Sequence, residues 1–472
     1  MPHIIFLLAL ILLASALAAA PEPLRLHPDN PHYFLFRGKP TVLITSGEHY
    51  GAVLNLDFDY VKYLDTLHRD GLNNTRTFTG AYMEPDGSFN IAHNSLAPAS
   101  GRLICPWARS DTPGYAGGGN KFDLTRWDDA YFARLKDFVS HASKRGIIVE
   151  LDLFCPFYDD SQWAISPIKA SNNVNGIGDV DRTKPYTLDP NDGLYKVQEA
   201  MVRKIVAELR EFDNLYYEIM NEAYWGNLPA GWEHHIAEVI TDAEKAFPHK
   251  HLISQNIAND KAKVEQPDRL VSIFNFHYAF PPDTVPMNYA LNHPIGDNET
   301  GFKGTAELYY RREAWAFILA GGALYNNLDY SFTVGHEDGT FAFPATQPGS
   351  GGVAFRKQMR VLAEFMHSLE FIHMAPATET LRSGAPAGVS LQALSEPGKQ
   401  YAVYLYRDEG TPEGGPVELR LALPAGKYKA EWVNTLTGAV EKPETFEHAG
   451  GAKTLTSPEF GQDVALRVIV QR

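Results

Sequence analysis

Residues 214–226, NLYYEIMNEAYWG, contain the signal around which the rest of the chain is arranged. The apolar and aromatic run at 215–217 is typical of a buried β-strand, and it leads to Asn221 and Glu222. Burial among aromatic rings raises the pKa of a carboxyl group, so we expect Glu222 to stay protonated near neutral pH and act as a general acid. We expect Asn221 to hydrogen-bond a substrate hydroxyl. Polar capping of a strand end is an equally good interpretation of this pair taken alone.

A second stretch, residues 292–301 (NHPIGDNETG), places Glu299 after another short run. Two carboxylates at the ends of separate strands are what retaining glycoside hydrolysis requires, one as acid/base and one as nucleophile. The two stretches together therefore predict a catalytic pair.

Strand-like runs alternate with helical periodicity through most of the chain. Strands are predicted at 41–46, 72–78, 146–154, 251–256, 270–276 and 322–328, in addition to the Glu222 and Glu299 stretches. Helices are predicted at 58–70, from an Asp123 cap through Phe138, and at 194–209, 232–247, 306–320 and 355–373. We interpret this as eight strand-then-helix units, which predict an α/β fold of the (β/α)8 TIM-barrel type. An open doubly wound sheet is the alternative, but no Gly-rich phosphate loop follows the first strand.

The pattern changes near Ala375, where strand-like alternation replaces helical periodicity. Strands are predicted at 389–394, 401–407, 417–423, 428–433 and 464–470. This predicts a catalytic barrel over residues 21–374 and an antiparallel β-sandwich over residues 375–472. A packed accessory domain is favoured over an independent carbohydrate-binding module, since no Gly/Ser tract separates the two parts.

The N-terminal residues predict export. An apolar run at 4–13 is followed by small residues at 14–20, which is typical of a secretory signal peptide at residues 1–20. An uncleaved membrane anchor is the alternative, although the run is short for a membrane span. The expected location is therefore secreted or periplasmic, with no membrane contact after cleavage.

Composition narrows the class of partner. The net charge of −15 argues against nucleic acid and against an anionic membrane surface. The aromatic fraction of 12% suits stacking on sugar rings, so a carbohydrate substrate is expected. The oligomeric state is left open. Cys105 and Cys155 are compatible either with one disulfide or with two buried thiols.

Several further side chains are expected at the mouth of the barrel, because catalytic residues of this fold lie at the carboxyl ends of the strands. Glu48 and His49 follow the first predicted strand, and Arg76 lies late in the second. His277 and Tyr278 follow the sixth and are expected to contact substrate or nucleophile. Glu48 and His49 do not form a His-x-His pattern, so no metal is expected, and no cofactor is expected either.

Two long loops are expected on the same face, at residues 80–121 and 155–191. Insertions of this size beside a barrel mouth predict a pocket or a blocked cleft. Trp107 lies in the first loop and Trp225 follows Glu222, and both are candidates for stacking on sugars.

With these motifs in place, residues 25–373 resemble the clan of retaining glycoside hydrolases with (β/α)8 barrels, known as clan A. Asn221-Glu222 matches the clan's Asn-Glu after the fourth strand, and Glu299 matches its nucleophile after the seventh. Arg76 and His277 match its second-strand Arg and sixth-strand His. The resemblance implies that Glu222 is the acid/base, that Glu299 is the nucleophile and that Arg76 keeps Glu299 ionised.

Within that clan the chain is most similar to the cellulase-type family 5, with departures. Ala223 stands where the family has Pro, Phe154-Cys155 where it has His, and Ala279 where it has Tyr. The resemblance implies an exported retaining β-glycoside hydrolase acting on plant-type or microbial oligo- or polysaccharide. The alternative is a catalytically silent carbohydrate-binding or scaffold protein on the same fold.

Overall fold

The computed structural model describes residues 22–381 and 385–471 of the protein, so the predicted signal peptide at 1–20 lies outside the described residues. No helix in those described ranges is long and apolar enough to cross a membrane. One parallel sheet contains eight strands: β1 Leu43–Gly47, β2 Asn74–Phe78, β3 Ile148–Phe154, β4 Leu215–Met220, β5 Ile253–Asn259, β6 Ile273–His277, β7 Ile295–Thr300 and β8 Leu324–Leu328.

The strands lie in the order β1-β8-β7-β6-β5-β4-β3-β2, and each ladder between neighbours is parallel. The side chain of Asn73 bridges the seam between β1 and β2. Its Oδ1 accepts the Ile44 backbone N–H at 3.0 Å, and its Nδ2 donates to the Val42 carbonyl at 2.9 Å. An amide side chain thus supplies the donor and the acceptor that a strand ladder would supply there. The predicted barrel is confirmed.

The helices run Tyr60–Arg69, Asp129–Lys144, Asp160–Ile165, Gly193–Leu209, Trp232–Ala243, Thr284–Asn288, Glu307–Leu319, Val353–His367 and Thr378–Leu381. Asp59, Asp128 and Asp192 accept backbone N–H groups of the first helical turns, which are otherwise without partners. The expectation of a helix after every strand is wrong at one point, because a loop alone connects β5 with β6 in the described chain.

The predicted helix beginning at Asp123 is also wrong. Strand Asn120–Trp127 pairs with strand Trp107–Pro113 in an antiparallel hairpin, and the helix begins only at Asp129. The apolar residues that suggested a helical face are therefore divided between a hairpin and a helix. Three further short strands, Arg25–Leu26, Phe34–Phe36 and Lys39–Thr41, form a small antiparallel sheet before the barrel.

The C-terminal strands are hydrogen-bonded into one six-stranded sheet: Ala375–Pro376, Val389–Glu396, Gln400–Arg407, Glu418–Val433, Val440–Thr456 and Asp463–Val470. All its ladders are antiparallel, as predicted. The two strands predicted at 417–423 and 428–433 are one long strand. Its partner Val440–Thr456 is mostly exposed and polar, which is why no alternating apolar pattern indicated it.

The two domains are in direct contact. Trp315 of helix Glu307–Leu319 stacks on Tyr404 of the sheet, with ring centroids 5.5 Å apart. On the same helix, Arg311 donates to both carboxylate oxygens of Asp463, at 2.9 and 3.0 Å, and both side chains are buried. A two-pronged ion pair of this kind fixes orientation as well as distance.

Candidate active site

A pocket of about 390 Å³ opens at the carboxyl ends of the barrel strands. The size suits a small-molecule site, and catalytic residues of this fold lie at this end. Its lining residues are His49, Tyr50, Phe78, Tyr82, Glu84, Phe89, Cys155, Tyr158, Asn221, Glu222, Trp225, Asn259, Tyr278, Glu299 and Phe302. A larger cavity of about 560 Å³ lies at the opposite end of the barrel, among the first residues of the strands, and neither Glu222 nor Glu299 lines it.

Glu222 and Glu299 face each other in this pocket. One oxygen of each carboxylate and one nitrogen of His277 all lie within 4.8 Å of one another. The Nδ1 atom of His277 is 3.4 Å from Oε1 of Glu222 and 3.7 Å from Oε1 of Glu299. The fold therefore brings together the three side chains that the sequence placed at the ends of β4, β6 and β7.

Glu299 is held by donors on both of its carboxylate oxygens. The Tyr278 hydroxyl donates to Oε1 at 2.5 Å, and the Tyr50 hydroxyl donates to Oε2 at 2.9 Å. Arg76 adds a hydrogen bond from Nη1 to Oε2 at 3.2 Å. Hydrogen bonds and a nearby cation both favour the ionised form of a carboxyl group. These three donors fix the orientation of the Glu299 carboxylate.

Arg76 is the central cation of the barrel. Its guanidinium donates to three buried carboxylates, Glu150, Asp152 and Glu218, at 2.8, 2.8 and 2.7 Å. Burial by itself lowers the pKa of Arg76, but these carboxylates and Tyr50 outweigh that effect and raise it well above its usual value. The three acids are close enough together to ligate a metal ion, and the guanidinium already occupies the position between them.

The direction of the pKa shift predicted for Glu222 is wrong. Burial raises the pKa of Glu222, as expected, but His277 lowers it both as a hydrogen-bond partner and as a charge. The Tyr158 hydroxyl at 2.6 Å from Oε2 and the Tyr224 hydroxyl at 3.2 Å from Oε1 lower it further. The net pKa is below the usual value for Glu. His277 and Tyr158 come from another strand and another loop, so their approach to Glu222 was not visible in the sequence, whereas Tyr224 lies two residues after Glu222.

Asn221 connects Arg76 with Tyr158. Its Oδ1 accepts from Nη2 of Arg76 at 2.8 Å, and its Nδ2 donates to the Tyr158 hydroxyl at 2.9 Å and to Sγ of Cys155 at 3.5 Å. Both N–H groups of the amide are therefore engaged within the protein. Asn221 lines the pocket, as expected, and it also positions the groups that bond Glu222 and Glu299.

Backbone strain is concentrated around the pocket. Five of its lining residues, Tyr50, Phe89, Glu222, Tyr278 and Phe302, have positive φ angles between 42° and 60°. Residues other than glycine rarely adopt this left-handed conformation, and such strain clusters at functional sites. Two of these strained residues, Glu222 and Tyr278, lie in the pocket wall, and Tyr278 bonds Glu299.

Two predicted site residues lie outside the pocket. Glu48 turns back into its own loop, where its carboxylate accepts the N–H groups of Gly51 and Ala52, each at 3.0 Å, and the Ser95 hydroxyl. Trp107 is buried in the hairpin and does not line the pocket. Neither side chain lines the pocket, and for Glu48 the reason is that a sequence position after a strand does not fix which way the side chain turns.

Of the remaining predicted residues, His49, Asn221, Tyr278 and Trp225 line the pocket. Arg76 and His277 lie behind its wall, against Glu299. His49 lines the pocket wall, and Trp225 stands at the pocket rim with 63% of its surface exposed. The sequence analysis missed Tyr50 and Tyr158 as functional residues. Tyr50 directly follows His49, and Tyr158 follows the end of β3, so nearness to a strand end was a usable signal for both. Cys105 and Cys155 are buried free thiols, which resolves the choice left open above.

No protein-family model matches the chain, and no curated protein matches it in sequence. Solved structures match it in fold. A glycoside hydrolase family 5 structure from Bacteroides vulgatus superposes with a TM-score of 0.61 at 14% identity, over 95% of this chain and 93% of that one. The chain has the fold of a glycoside hydrolase.

Two further structures with the glycoside hydrolase fold agree. One, described simply as a glycoside hydrolase, has a TM-score of 0.60 at 15% identity and covers 95% of this chain and 97% of its own. The other, a candidate glycoside hydrolase from Bacteroides vulgatus, has a TM-score of 0.66 at 14% identity and covers 95% and 82%. The resemblance to barrel glycoside hydrolases is thus confirmed at the level of the fold, and the shared fold includes the C-terminal sheet.

Proposed function

We propose that the protein is a retaining hydrolase of β-glycosides that works by double displacement. The observation that carries this proposal is the spacing of Glu222 and Glu299, whose nearest carboxylate oxygens lie within 4.8 Å in one pocket. Retaining enzymes hold their carboxyl groups about 5–5.5 Å apart, whereas inverting enzymes need about 6.5–9.5 Å to admit a water molecule. The short spacing favours retention.

In the first step Glu299 attacks the anomeric carbon of the sugar, while the bond from that carbon to the leaving oxygen breaks. Glu222 gives its proton to the leaving oxygen, so the leaving group departs as a neutral alcohol. Arg76, Tyr50 and Tyr278 support this step by holding Glu299 ionised and oriented. The product of the step is a covalent glycosyl-enzyme.

Glu222 must carry a proton to act as the acid, although its contacts in the free site lower its pKa. We propose that substrate binding protonates Glu222, because a bound sugar excludes water from the buried carboxyl group and so favours its neutral form.

In the second step a water molecule takes the position vacated by the leaving group. Glu222, now ionised, accepts a proton from that water, and the oxygen attacks the anomeric carbon on the face opposite Glu299. The bond to Glu299 breaks and the carboxylate is restored. Two inversions at one carbon give net retention.

We further propose that the enzyme acts on the ends of plant-type or microbial oligo- or polysaccharide chains. The loop carrying Phe89 is tied to the loop after β8, since Asn90 Nδ2 donates to the Thr346 carbonyl at 2.8 Å. A second bond runs from the Ala92 N–H to Gln347 Oε1 at 3.2 Å. Two loops joined in this way form a wall beside the pocket, and a wall blocks a long chain from passing through.

We also propose that the enzyme is exported, to the periplasm or beyond the cell. This proposal rests on the apolar run at residues 4–13 and the small residues that follow it. Fractionation of cells expressing the full chain, with N-terminal sequencing of the recovered protein, tests it. Recovery of an unprocessed protein from the cytoplasm would contradict it.

The catalytic proposal is tested by a hydrolysis screen of aryl β-glycosides and plant polysaccharides, followed by NMR of the first-formed sugar anomer. Retention is expected. Glu299→Ala should abolish turnover on every substrate, and azide should restore activity by attacking from the nucleophile's face and giving the inverted glycosyl azide. Binding of oligosaccharide without turnover would instead support the silent carbohydrate-binding alternative, and a first product of inverted configuration would refute double displacement.

A further inference from the structure

A third carboxyl group, Glu84, lines the same pocket and has no part in the mechanism above. It lies in the long loop after β2, and it is 96% buried, with the remainder facing the pocket side. The Tyr82 hydroxyl donates to its Oε1 at 3.0 Å, and Asn94 donates to its Oε2. Each carboxylate oxygen can accept about two hydrogen bonds, so each retains capacity for one more partner.

His49 stands beside Glu84 in the pocket wall. Its Nε2 is 3.9 Å from Oε1 of Glu84, and its Nδ1 has no hydrogen-bond partner among the described residues. Burial lowers the pKa of His49 to about 4, so the ring is neutral at ordinary pH and offers one donor and one acceptor. The pocket wall here thus carries a neutral imidazole and a carboxyl group with spare acceptors, and both can hydrogen-bond a polar ligand.

The side of the pocket on which these residues lie identifies that ligand. The His49 ring lies edge-on to the Tyr50 ring, with centroids 5.3 Å apart, and the Tyr50 hydroxyl donates to Glu299, whereas Tyr224 bonds Glu222. In a retaining site the sugar that becomes attached lies against the nucleophile, and the leaving group lies against the acid. Glu84 and His49 therefore belong to the side of the attached sugar.

We propose that Glu84 and His49 bind hydroxyl groups of the terminal sugar ring and so determine which β-glycoside is cleaved. This inference rests on the proposed function and deepens it. The ligand class is a neutral sugar, because Glu84, Glu222 and Glu299 place three carboxyl groups in one pocket and a uronic acid would add a fourth. Glu84 comes from the long loop after β2, so its contribution to specificity is a property of this chain and not of the barrel.

The test pairs a protein substitution with a substrate deletion. Steady-state kcat/KM is measured for wild type and Glu84→Gln on the 4-nitrophenyl β-glycoside that wild type cleaves fastest, and on each of its monodeoxy analogues. Wild type should lose about 10- to 100-fold on at least one analogue, and Glu84→Gln should lose a similar factor on the parent glycoside. For Glu84→Gln, kcat/KM on that one analogue should be little lower than its kcat/KM on the parent glycoside, because both changes delete the same hydrogen bond.

The matched control is Glu337→Gln, another buried carboxylate on a loop at this face. Glu337 accepts the Gly335 N–H at 2.9 Å and does not line the pocket. Glu337→Gln should therefore change kcat/KM by the same factor on the parent glycoside and on every analogue. Glu84→Asp, which keeps the charge but withdraws the carboxylate, should show the same coupling and serves if Glu84→Gln does not fold.

Uniform losses for Glu84→Gln on all analogues would overturn the inference and leave Glu84 as a support for Tyr82 and Asn94. That result would leave the proposed function intact, since wild type would still cleave the parent glycoside. Failure of wild type to cleave any β-glycoside would overturn the proposed function, and this inference with it.

Discussion

Removal of the Tyr278 hydroxyl should lower the reactivity of Glu299 as a nucleophile with little change elsewhere in the pocket. Within the described chain it is the one hydrogen-bond donor to Oε1 of Glu299, at 2.5 Å, whereas Oε2 receives donors from both Tyr50 and Arg76. Tyr278→Phe deletes one oxygen atom and leaves the ring in place. The variant should therefore remove the hydrogen bond that orients Oε1 of Glu299 without enlarging the pocket.

The size of the effect follows from the hydrogen bond. A hydrogen bond to a charged group contributes about 1.5–3 kcal/mol, and about 1.4 kcal/mol corresponds to a tenfold change in rate. Because the bond orients the attacking carboxylate, its loss should lower kcat/KM about 10- to 100-fold. Arg76 and Tyr50 still hold Oε2, so Glu299 should stay in the pocket.

The assay is kcat/KM with a 2,4-dinitrophenyl glycoside, whose leaving group does not need the proton of Glu222. Tyr50→Phe is the matched control, and its loss should be smaller because Arg76 continues to donate to the same oxygen. Thermal denaturation of both variants excludes a loss of folding. An unchanged kcat/KM in Tyr278→Phe would refute the role assigned to Tyr278.

Three further predictions concern the domain interface, the thiols and the acid/base. Arg311→Ala leaves Asp463 buried without its partner, so the free energy of unfolding should fall by about 3–5 kcal/mol, and an unchanged thermal midpoint would count against a structural interface. Cys105 and Cys155 should both react with a thiol reagent after denaturation without reductant and resist it in the folded protein; a denatured chain without reactive thiols would mean that they are bonded. Glu222→Ala should retain the first step on dinitrophenyl glycosides and lose natural substrates, with azide rescue giving a retained product, and full activity on natural substrates would exclude Glu222 as the acid.

The fold was predictable from sequence because short apolar runs mark the strands of the barrel and apolar residues at helical spacing mark most of its helices. The strands of the barrel are buried on both faces, so they read as short, mostly apolar segments, and the charged residues within them, such as Glu150 and Glu218, pair with Arg76. The prediction failed where tertiary pairing decided the structure. Residues 120–127 form a hairpin strand although their spacing suits a helix, and strand Val440–Thr456 is polar because both its faces are largely exposed.

The sequence predicted which residues lie at strand ends near the candidate site, but it did not predict which way their side chains point. Glu222, Glu299, Arg76 and His277 were predicted because each lies where a parallel strand ends. Glu48 satisfies the same rule, yet its carboxylate caps its own loop. The sign of the pKa shift at Glu222 required the distance to His277, which depends on how β4 and β6 are placed around the barrel.

Covalent trapping tests the central claim, that Glu299 is the nucleophile of a retaining enzyme, most directly. The reagent is the 2,4-dinitrophenyl 2-deoxy-2-fluoro-β-glycoside of the sugar that the enzyme cleaves best. The fluorine slows both steps and the excellent leaving group speeds only the first, so the glycosyl-enzyme accumulates. Intact mass should increase by one fluorosugar, and the labelled peptide should contain Glu299. Turnover of ordinary substrates without any adduct, or an adduct on a residue other than Glu299, would contradict the account.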